Sequence, residues 1–188
     1  TQPDELHRND ISFLKAQQFD NDGILRLGGR NVPVAGAPEL PVLSAFCAAG
    51  FLFGPSQWIK DVPYDPFLYF YGEESTLAVR LWTHGWDMYY PNKLVIYHLY
   101  KPSGQERKKT HFADHRNWQM LNKRSLARTL HLLGATQSDD AAVIENIQHY
   151  GLGRARTLAE YQSFSGVDFR NRSLSAQATS GNAYPQAA

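Results

Sequence analysis

The sequence predicts one globular domain that contains both β-strands and helices, with appendages, and three observations support this. The apolar, small-residue segment 38–54 and two later runs, 86–90 and 94–100, have the composition of β-strands. Two segments with helical periodicity follow Gly72 and Asp114. The chain has 188 residues, of which 43% are hydrophobic, which is enough to bury one sizeable core.

Composition and charge limit the possible classes of protein. The formal net charge is +1, so the chain has no overall attraction to nucleic acid or to an anionic membrane. The single cysteine, Cys47, lies in an apolar run, which excludes an internal disulfide framework and suits a reducing compartment. No apolar stretch approaches the roughly 18 to 20 residues that span a bilayer, and the first residues carry no secretory signal. We therefore expect a soluble, cytoplasmic protein.

The first 60 residues predict loops, a strand pair and two short helices. Residues 1–34 mix charge with glycine and suggest loops, with one short helix at Ile11–Phe19. Asp20-Asn21-Asp22 has a spacing that can hold a divalent cation, but the same residues before Gly23 also form turns, so both interpretations stay open. Segment 38–54 predicts a buried strand, a tight small-residue turn and a second strand. A short helix is expected after Pro55.

A helix is predicted from Glu73 to His84, starting at Gly72 and stopped by Gly85. Its first turn carries two carboxylates, those of Glu73 and Glu74. The pair could be an ordinary helix start, because the helix dipole favours negative charge there by about 0.3 to 1 kcal/mol. The functional alternative is that these carboxylates accept hydrogen bonds from hydroxyl groups of a ligand.

Two strands are predicted at Trp86–Tyr90 and 94–100, separated by Pro91-Asn92. In the second strand His98 would project from a rigid position near the strand end. A single histidine can be structural or can be one ligand of a metal, and by itself it does not define a site.

Positive charge is concentrated between residues 101 and 131. Eight lysines and arginines stand there against two acidic residues, which gives a net charge of +6. This segment could be a solvated helix face, a site for a pyrophosphate leaving group, or a contact for nucleic acid.

Helices dominate the remainder of the predicted domain. Asp114 is a plausible N-cap for a long amphipathic helix that closes at Gly134, and a second helix is expected from Ser138 to Gly151. Thr157 and Glu160 have the spacing of a capping box. Beyond about residue 172 the chain is poor in apolar residues, so we expect it to remain mobile.

Six short motifs, taken in chain order, are jointly more specific than any one of them. They are residues 47–53 (CAAGFLF), 63–66 (PYDP), 72–74 (GEE), 80–85 (RLWTHG), 90–91 (YP) and His98. This set resembles the hydroxyproline N-acetylglucosaminyltransferases that modify the ubiquitin-ligase subunit Skp1. It is more distantly similar to the polypeptide N-acetylgalactosaminyltransferases. The likeness covers residues 40–134 and is weaker in the flanks.

The resemblance implies a GT-A-type glycosyltransferase fold, an α/β architecture with a mixed sheet and helices. Residues 1–134 would form the C-terminal portion of that domain, 135–170 a helical extension and 171–188 a flexible tail. In the family the Asp-containing metal motif and the uridine-binding strands lie well upstream of the small-residue turn. We therefore expect the N-terminal nucleotide-binding part to be missing from this chain.

The resemblance also implies a set of site residues. His98 matches a protein ligand of a divalent cation, expected to be Mn²⁺, and the acidic pair Glu73 and Glu74 would line the catalytic pocket for sugar and acceptor. The substrate-binding candidates are Ala49, Gly50, Tyr71, Gly72 and Lys101. Of these, Ala49 and Gly50 would bring backbone close to the sugar, and Lys101 would belong to a segment that closes over the nucleotide.

The function implied is metal-dependent, retaining transfer of N-acetylglucosamine or a related sugar. The donor would be a UDP-sugar, UDP-N-acetylglucosamine in the first place, and the acceptor a protein or peptide hydroxyl such as hydroxyproline. Glu73 and Glu74 would chiefly bind and orient substrates, with general-base work as a secondary role. One alternative is a non-catalytic module that binds glycan or peptide. Another, a nucleic-acid-binding domain built on residues 101–131, is less favoured, and no nucleic-acid or membrane partner is expected.

Overall fold

The computed structural model describes residues 7–98 and 111–185, and within them strands and helices alternate. Strands β1 to β6 are Asp10–Phe19, Leu25–Pro33, Val42–Ser44, Met88–Tyr90, Val167–Asp168 and Ser173–Leu174. Helices α1 to α7 are Gln57–Asp61, Glu73–Thr83, His111–Asp114, Trp118–Leu132, Ile147–Tyr150, Leu158–Ser165 and Ala176–Ser180. The strands pair as β1 with β2, β3 with β4 and β5 with β6, and each of these pairs is antiparallel.

The N-terminal segment forms a β-hairpin, so the short helix predicted at Ile11–Phe19 is wrong. Ile11 and Phe13 are buried on one face of β1 and Ala16 on the other, and a bulge follows Ala16, so the strand lacks the regular alternation that would have indicated it. The hairpin turns at Asp20, whose carboxylate accepts hydrogen bonds from the backbone N–H groups of Asp22 (3.0 Å) and Ile24 (2.9 Å). The Asp-x-Asp spacing is therefore explained by turn formation.

Helix α2 lies at the centre of the core and confirms the predicted helix. Every residue from Ser75 to Thr83 is buried, and the helix packs against α4, α6 and β4. Gly72 at its start and Gly85 after its end both have positive φ angles, +90° and +94°, which glycine adopts without steric strain. The glycine signals in the sequence therefore fix both ends of this helix.

The later helices agree in part with the helices predicted from the sequence. The capping box at the start of α6 is confirmed, with Thr157 N–H donating to the Glu160 carboxylate at 2.7 Å and Glu160 N–H donating to the Thr157 hydroxyl at 3.2 Å. Helix α4 begins after Asn117 rather than after Asp114, which instead ends the short helix α3. Of the helix predicted from Ser138 to Gly151, the single turn Ile147–Tyr150 is helical.

Two arginines with almost no exposed surface join the loops around α2 and α4. Arg128 donates to the Asp65 carboxylate at 2.7 Å and to the backbone carbonyl oxygens of Val143 and Glu145. Arg80 donates to the Pro63 carbonyl oxygen at 2.8 Å. Arg128 belongs to the basic stretch of the sequence. Its charge is paired with buried groups of the protein, so it is not available to bind a ligand.

Two further predictions differ from the structure. Residues 94–98 form no strand, and Val95, Ile96 and Tyr97 are exposed, because no neighbouring strand in the described ranges pairs with them. His98 therefore does not project from a rigid strand. The second strand predicted before Gly54 is likewise not formed.

The C-terminal segment contains packed structure where a flexible tail over 171–188 was expected. Strand β6 and helix α7 contact β1, and Ala178 and Tyr184 are buried. Arg30 of β2 donates a hydrogen bond to the Gly181 carbonyl oxygen at 2.9 Å. A few well-placed apolar side chains and backbone hydrogen bonds order residues 173–184 despite their polar composition.

The described residues contain both strands and helices, in small antiparallel sheets rather than one mixed sheet. The GT-A assignment therefore stays a prediction. None of the helices in ranges 7–98 and 111–185 is both long and apolar enough to cross a bilayer.

Candidate functional site

The small-residue turn at 47–50 is tied to the first turn of α2. The Glu74 carboxylate accepts a hydrogen bond from the Ala49 backbone N–H at 3.0 Å, and the Cys47 thiol contacts the Glu74 carbonyl oxygen at 3.7 Å. Cys47 is buried, and burial together with the charges of Glu73 and Glu74 raises the pKa of its thiol far above the ordinary value. The thiol is therefore a packing group that stays protonated.

His98 lies against the other half of the same turn. A Cβ atom placed on Gly50 would stand 3.5 Å from Cδ2 and 3.9 Å from Nε2 of the His98 ring. Glycine at this position leaves the imidazole room beside the backbone. The turn thus has the Glu74 carboxylate bound to one residue and the His98 ring next to the following one.

A cavity of about 1200 Å³ opens beside the turn. Cys47, Ala48, Gly50 and His98 contribute to its wall, together with aromatic residues that include Trp58. Its volume is large enough for a ligand of the size of a sugar nucleotide. Glu73 and Glu74 do not line this cavity. Glu74 is connected to the turn beside it by the hydrogen bond that its carboxylate accepts from the Ala49 N–H.

The two carboxylates of the acidic pair have different surroundings. Glu74 is bound to the turn, whereas one buried oxygen of Glu73, Oε1, has no hydrogen-bond partner. Burial, and next the charge of Glu74, raises the pKa of the Glu73 carboxyl, while a hydrogen bond from Tyr64 acts in the opposite direction. Glu73 is the member of the pair with a free acceptor oxygen.

Tyr71 and Gly72 are occupied by contacts inside the protein. The guanidinium group of Arg26 lies 3.8 Å from the centre of the Tyr71 ring, and the Phe70 ring contacts that ring at 4.9 Å. A Cβ atom on Gly72 would collide with the Thr129 side chain, so glycine is required here for the close packing of α2 on α4. Both residues hold the start of α2 in place, and neither is brought to the cavity. Lys101 lies outside the described residues.

The described residues do not supply a complete metal site. No three histidine, cysteine, aspartate or glutamate side chains come together anywhere in ranges 7–98 and 111–185. A divalent cation usually needs several such ligands, and His98 offers one nitrogen. The metal predicted at His98 therefore does not fit these residues alone.

Sequence reasoning missed the part played by Tyr64 and Trp58. Their rings contact each other with centroids 6.4 Å apart, and the Tyr64 hydroxyl is within hydrogen-bonding reach of Glu73. Tyr64 belongs to the PYDP motif used for the resemblance, but nothing in that motif tells which carboxylate it would meet. That pairing appears when the loop is folded against α2.

Comparison with known protein families gives one match. Residues 1–171 match the family described as Glycosyltransferase (GlcNAc). No curated protein and no solved structure matches the chain. The matched segment spans the hairpin, the turn at 47–50, helix α2 and His98.

Proposed function

The chain belongs to the glycosyltransferase (GlcNAc) family, and from this premise we propose that it transfers N-acetylglucosamine from UDP-N-acetylglucosamine to a protein hydroxyl, such as that of hydroxyproline. Membership of the family makes the protein a glycosyltransferase. The donor, the acceptor, the stereochemistry and the need for a metal are parts of the proposal.

The main support for the proposal is the arrangement of groups around the turn at Ala49 and Gly50. The turn at Ala49 and Gly50 joins the carboxylate-led helix to the His98 imidazole, through a 3.0 Å hydrogen bond from Ala49 N–H to Glu74 and a close approach of Gly50 to the ring. This arrangement puts backbone, a carboxylate and an imidazole around one bend at the edge of a cavity of about 1200 Å³. A sugar could approach the backbone at Gly50 because no side chain stands there.

Glu73 and Glu74 have different roles in the proposed reaction. Glu74 fixes the turn, because its carboxylate already accepts the Ala49 N–H. Glu73 has one buried oxygen without a hydrogen-bond partner, and burial together with the charge of Glu74 raises the pKa of its carboxyl. The catalytic assignment of the pair therefore passes to Glu73, with Glu74 as the residue that positions the turn.

The proposed reaction exchanges one bond at the anomeric carbon. The acceptor oxygen forms a bond to that carbon, and the bond from the carbon to the phosphate oxygen of the donor breaks, releasing UDP. In a retaining reaction the acceptor proton leaves on the same face, to an oxygen of the departing phosphate. Glu73 would orient the acceptor hydroxyl for this step, and its contribution would be positioning more than strong basicity.

His98 stays the proposed protein ligand of a Mn²⁺ ion, within the GT-A fold that the family resemblance implies. Because the described residues do not complete such a site, no step of the reaction is assigned to the ion. Without the ion, the imidazole beside Gly50 would donate a hydrogen bond to an oxygen of the donor diphosphate.

The test is transfer of labelled N-acetylglucosamine from UDP-N-acetylglucosamine to a hydroxyproline peptide, with and without Mn²⁺. We expect the unmodified protein to transfer the sugar and His98→Ala and Glu73→Gln to lose roughly 100-fold in rate, the usual cost of a directly acting group. The exposed Glu145 provides a matched control, and Glu145→Gln should retain full activity. Binding of UDP-N-acetylglucosamine or of the peptide without any transfer would favour a non-catalytic binding module instead.

A further inference from the structure

Exposed apolar side chains line the cavity in two segments of the chain that meet where Gly50 approaches His98. One segment follows Gly50 directly and the other precedes His98, whose ring lies 3.5 Å from a Cβ placed on Gly50. Exposed apolar surface of this extent marks a place where another molecule binds. The apolar patch consists of Phe51, Phe53, Val95, Ile96 and Tyr97, of which Phe53 and Val95 are 93% and 61% exposed.

The apolar patch is fixed by contacts with the rest of the protein. The Tyr97 hydroxyl donates a hydrogen bond to the Arg8 carbonyl oxygen at 2.9 Å, and Leu94 packs against buried side chains of the N-terminal hairpin. In the other segment the Trp58 ring of α1 lies against Gly54, where a Cβ would stand 3.4 Å from the ring. Because the patch is already ordered, a partner can bind it without a large loss of conformational entropy.

Residues 94–97 also offer peptide groups to a partner chain. None of their backbone N–H or carbonyl groups is hydrogen-bonded to another residue in ranges 7–98 and 111–185. An exposed segment with unpaired peptide groups can bind a second chain through main-chain hydrogen bonds, while its side chains select the residues of that chain. A polypeptide therefore fits this surface better than a lipid or a second small molecule.

The size and charge of the cavity restrict the occupant further. Its volume of about 1200 Å³ exceeds the range of about 300 to 1000 Å³ that is usual for one small ligand, so a peptide has room beside the proposed donor. Among the charged residues of its wall, Arg8 pairs with Asp10 at 3.4 Å, and Asp87 pairs with Arg156 at 2.7 Å. Lys93 is exposed to water. An uncharged segment can therefore bind without leaving a buried charge unpaired.

We propose that the apolar patch binds the acceptor polypeptide and selects acceptors whose residues beside the modified hydroxyl are apolar and uncharged. The inference rests on the proposed function, because it places the acceptor in the cavity of the proposed transfer site. Phe51 is the residue after Gly50, and Ile96 lies two positions before His98. The side chains that they select are therefore those closest to the acceptor hydroxyl.

The test measures peptide binding and needs no turnover. A fluorescent hydroxyproline peptide with leucine and valine beside the hydroxyproline is titrated with the protein, and anisotropy gives its Kd. A second peptide carries glutamate and lysine at the same two positions. We expect the apolar peptide to bind about tenfold or more tightly than the charged one, since each misplaced charge on an apolar surface has to be desolvated.

Two variants remove apolar side chains of the patch. Ile96→Ser and Phe53→Ser should each raise the Kd of the apolar peptide about tenfold, the usual effect of removing one apolar anchor from an interface. Both side chains are exposed, so the variants should keep the fold, which circular dichroism checks. Ile59→Ser is the matched control and should bind as the unmodified protein does. Ile59 is exposed to a similar degree as Ile96, 53% against 49%, but does not line the cavity.

The outcomes separate this inference from the proposed function. A raised Kd in Ile96→Ser and Phe53→Ser but not in Ile59→Ser supports it, even if no sugar is transferred and the proposed function fails. Equal Kd values for the two peptides, or an unchanged Kd in both patch variants, overturn it, even if the protein transfers sugar.

Two further measurements identify a different occupant of the apolar patch. Weaker binding of UDP-N-acetylglucosamine to Ile96→Ser, measured by calorimetry, would assign the patch to the donor. A dimer of the unmodified protein that dissociates in Ile96→Ser, measured by sedimentation, would assign it to a second copy of the chain. Either result overturns the proposal.

Discussion

The Glu74 carboxylate accepts the Ala49 backbone N–H at 3.0 Å, across 25 positions of sequence. This bond fixes the turn at 47–50 to the first turn of helix α2, which is itself locked by the packing of Gly72 against Thr129. The place of Gly50, and through it that of the His98 ring, therefore depends on a carboxylate that the sequence alone would assign to a helix cap.

Glu74→Ala should loosen the turn while leaving the fold intact. Ala49 is exposed, so water can replace the lost acceptor, and we expect a loss of about 1 kcal/mol or less in the free energy of unfolding. The Ala49 amide should exchange its hydrogen faster, as measured by NMR. Glu74→Gln keeps an acceptor oxygen and should leave this exchange nearly unchanged. Equal exchange rates in Glu74→Ala and the unmodified protein would show that the bond does not hold the turn.

Glu73→Gln should stabilise the protein at neutral pH. The folded-state pKa of Glu73 is raised by burial and by the charge of Glu74. Its stabilising effect is therefore complete below the unfolded pKa of about 4.3 and is lost as pH rises through the folded value. Thermal unfolding should give a higher Tm for Glu73→Gln than for the unmodified protein at pH 7.5, with the difference shrinking toward pH 4. A lower Tm at pH 7.5 would mean that Glu73 serves mainly as a favourable helix-start charge.

Gly50→Val should reduce transfer without unfolding the protein. The Cβ of an alanine would meet the His98 ring at an ordinary 3.5 Å, but the added methyl groups of valine would come closer and displace the imidazole. We expect a loss of roughly tenfold or more in kcat/KM, since small misplacements in a site are costly. Gly36 has no neighbour within 4 Å of such a Cβ, so Gly36→Val is the matched control. Equal activity of the two variants would show that the position of the His98 ring does not affect transfer.

Arg128→Ala should destabilise the fold strongly. It leaves the buried Asp65 carboxylate and two backbone carbonyl oxygens without their donor, and breaking a buried pair in this way costs about 3 to 5 kcal/mol. Arg124 is exposed on the same helix, and Arg124→Ala should change the free energy of unfolding by no more than about 0.5 kcal/mol. Urea unfolding followed by circular dichroism measures both. Similar values for the two variants would contradict the structural role of Arg128.

The elements predicted well from sequence are those whose signals are local. Helix α2 is bounded by Gly72 and Gly85, and α6 begins at the capping box of Thr157 and Glu160, so both could be read from a few neighbouring residues. Strand β1 was missed because its buried residues do not keep to one face: Ile11 and Phe13 are buried on one side and Ala16 on the other, with a bulge after it. The structured tail was missed because its order comes from contacts with distant strands, such as the bond from Arg30 to Gly181.

The candidate site was predictable in its parts and not in its arrangement. The acidic pair, the turn and His98 could be named from motifs, but their connections join residues that are 25 or more positions apart. The different environments of Glu73 and Glu74 arise from Tyr64 and Ala49, which a helix-start pattern does not reveal. Tyr71 and Gly72 were predicted to bind substrate, and in the structure they pack against Arg26 and Thr129.

A double-mutant cycle on Glu73 and His98 tests the central claim that both residues serve one site around the turn. The values of kcat/KM for transfer from UDP-N-acetylglucosamine are measured for Glu73→Gln, His98→Ala, the double variant and the unmodified protein. Groups that act together on one transition state are not additive, so the double variant should lose much less than the product of the two single losses. A loss equal to that product would mean that the carboxylate and the imidazole act independently, and it would contradict the account.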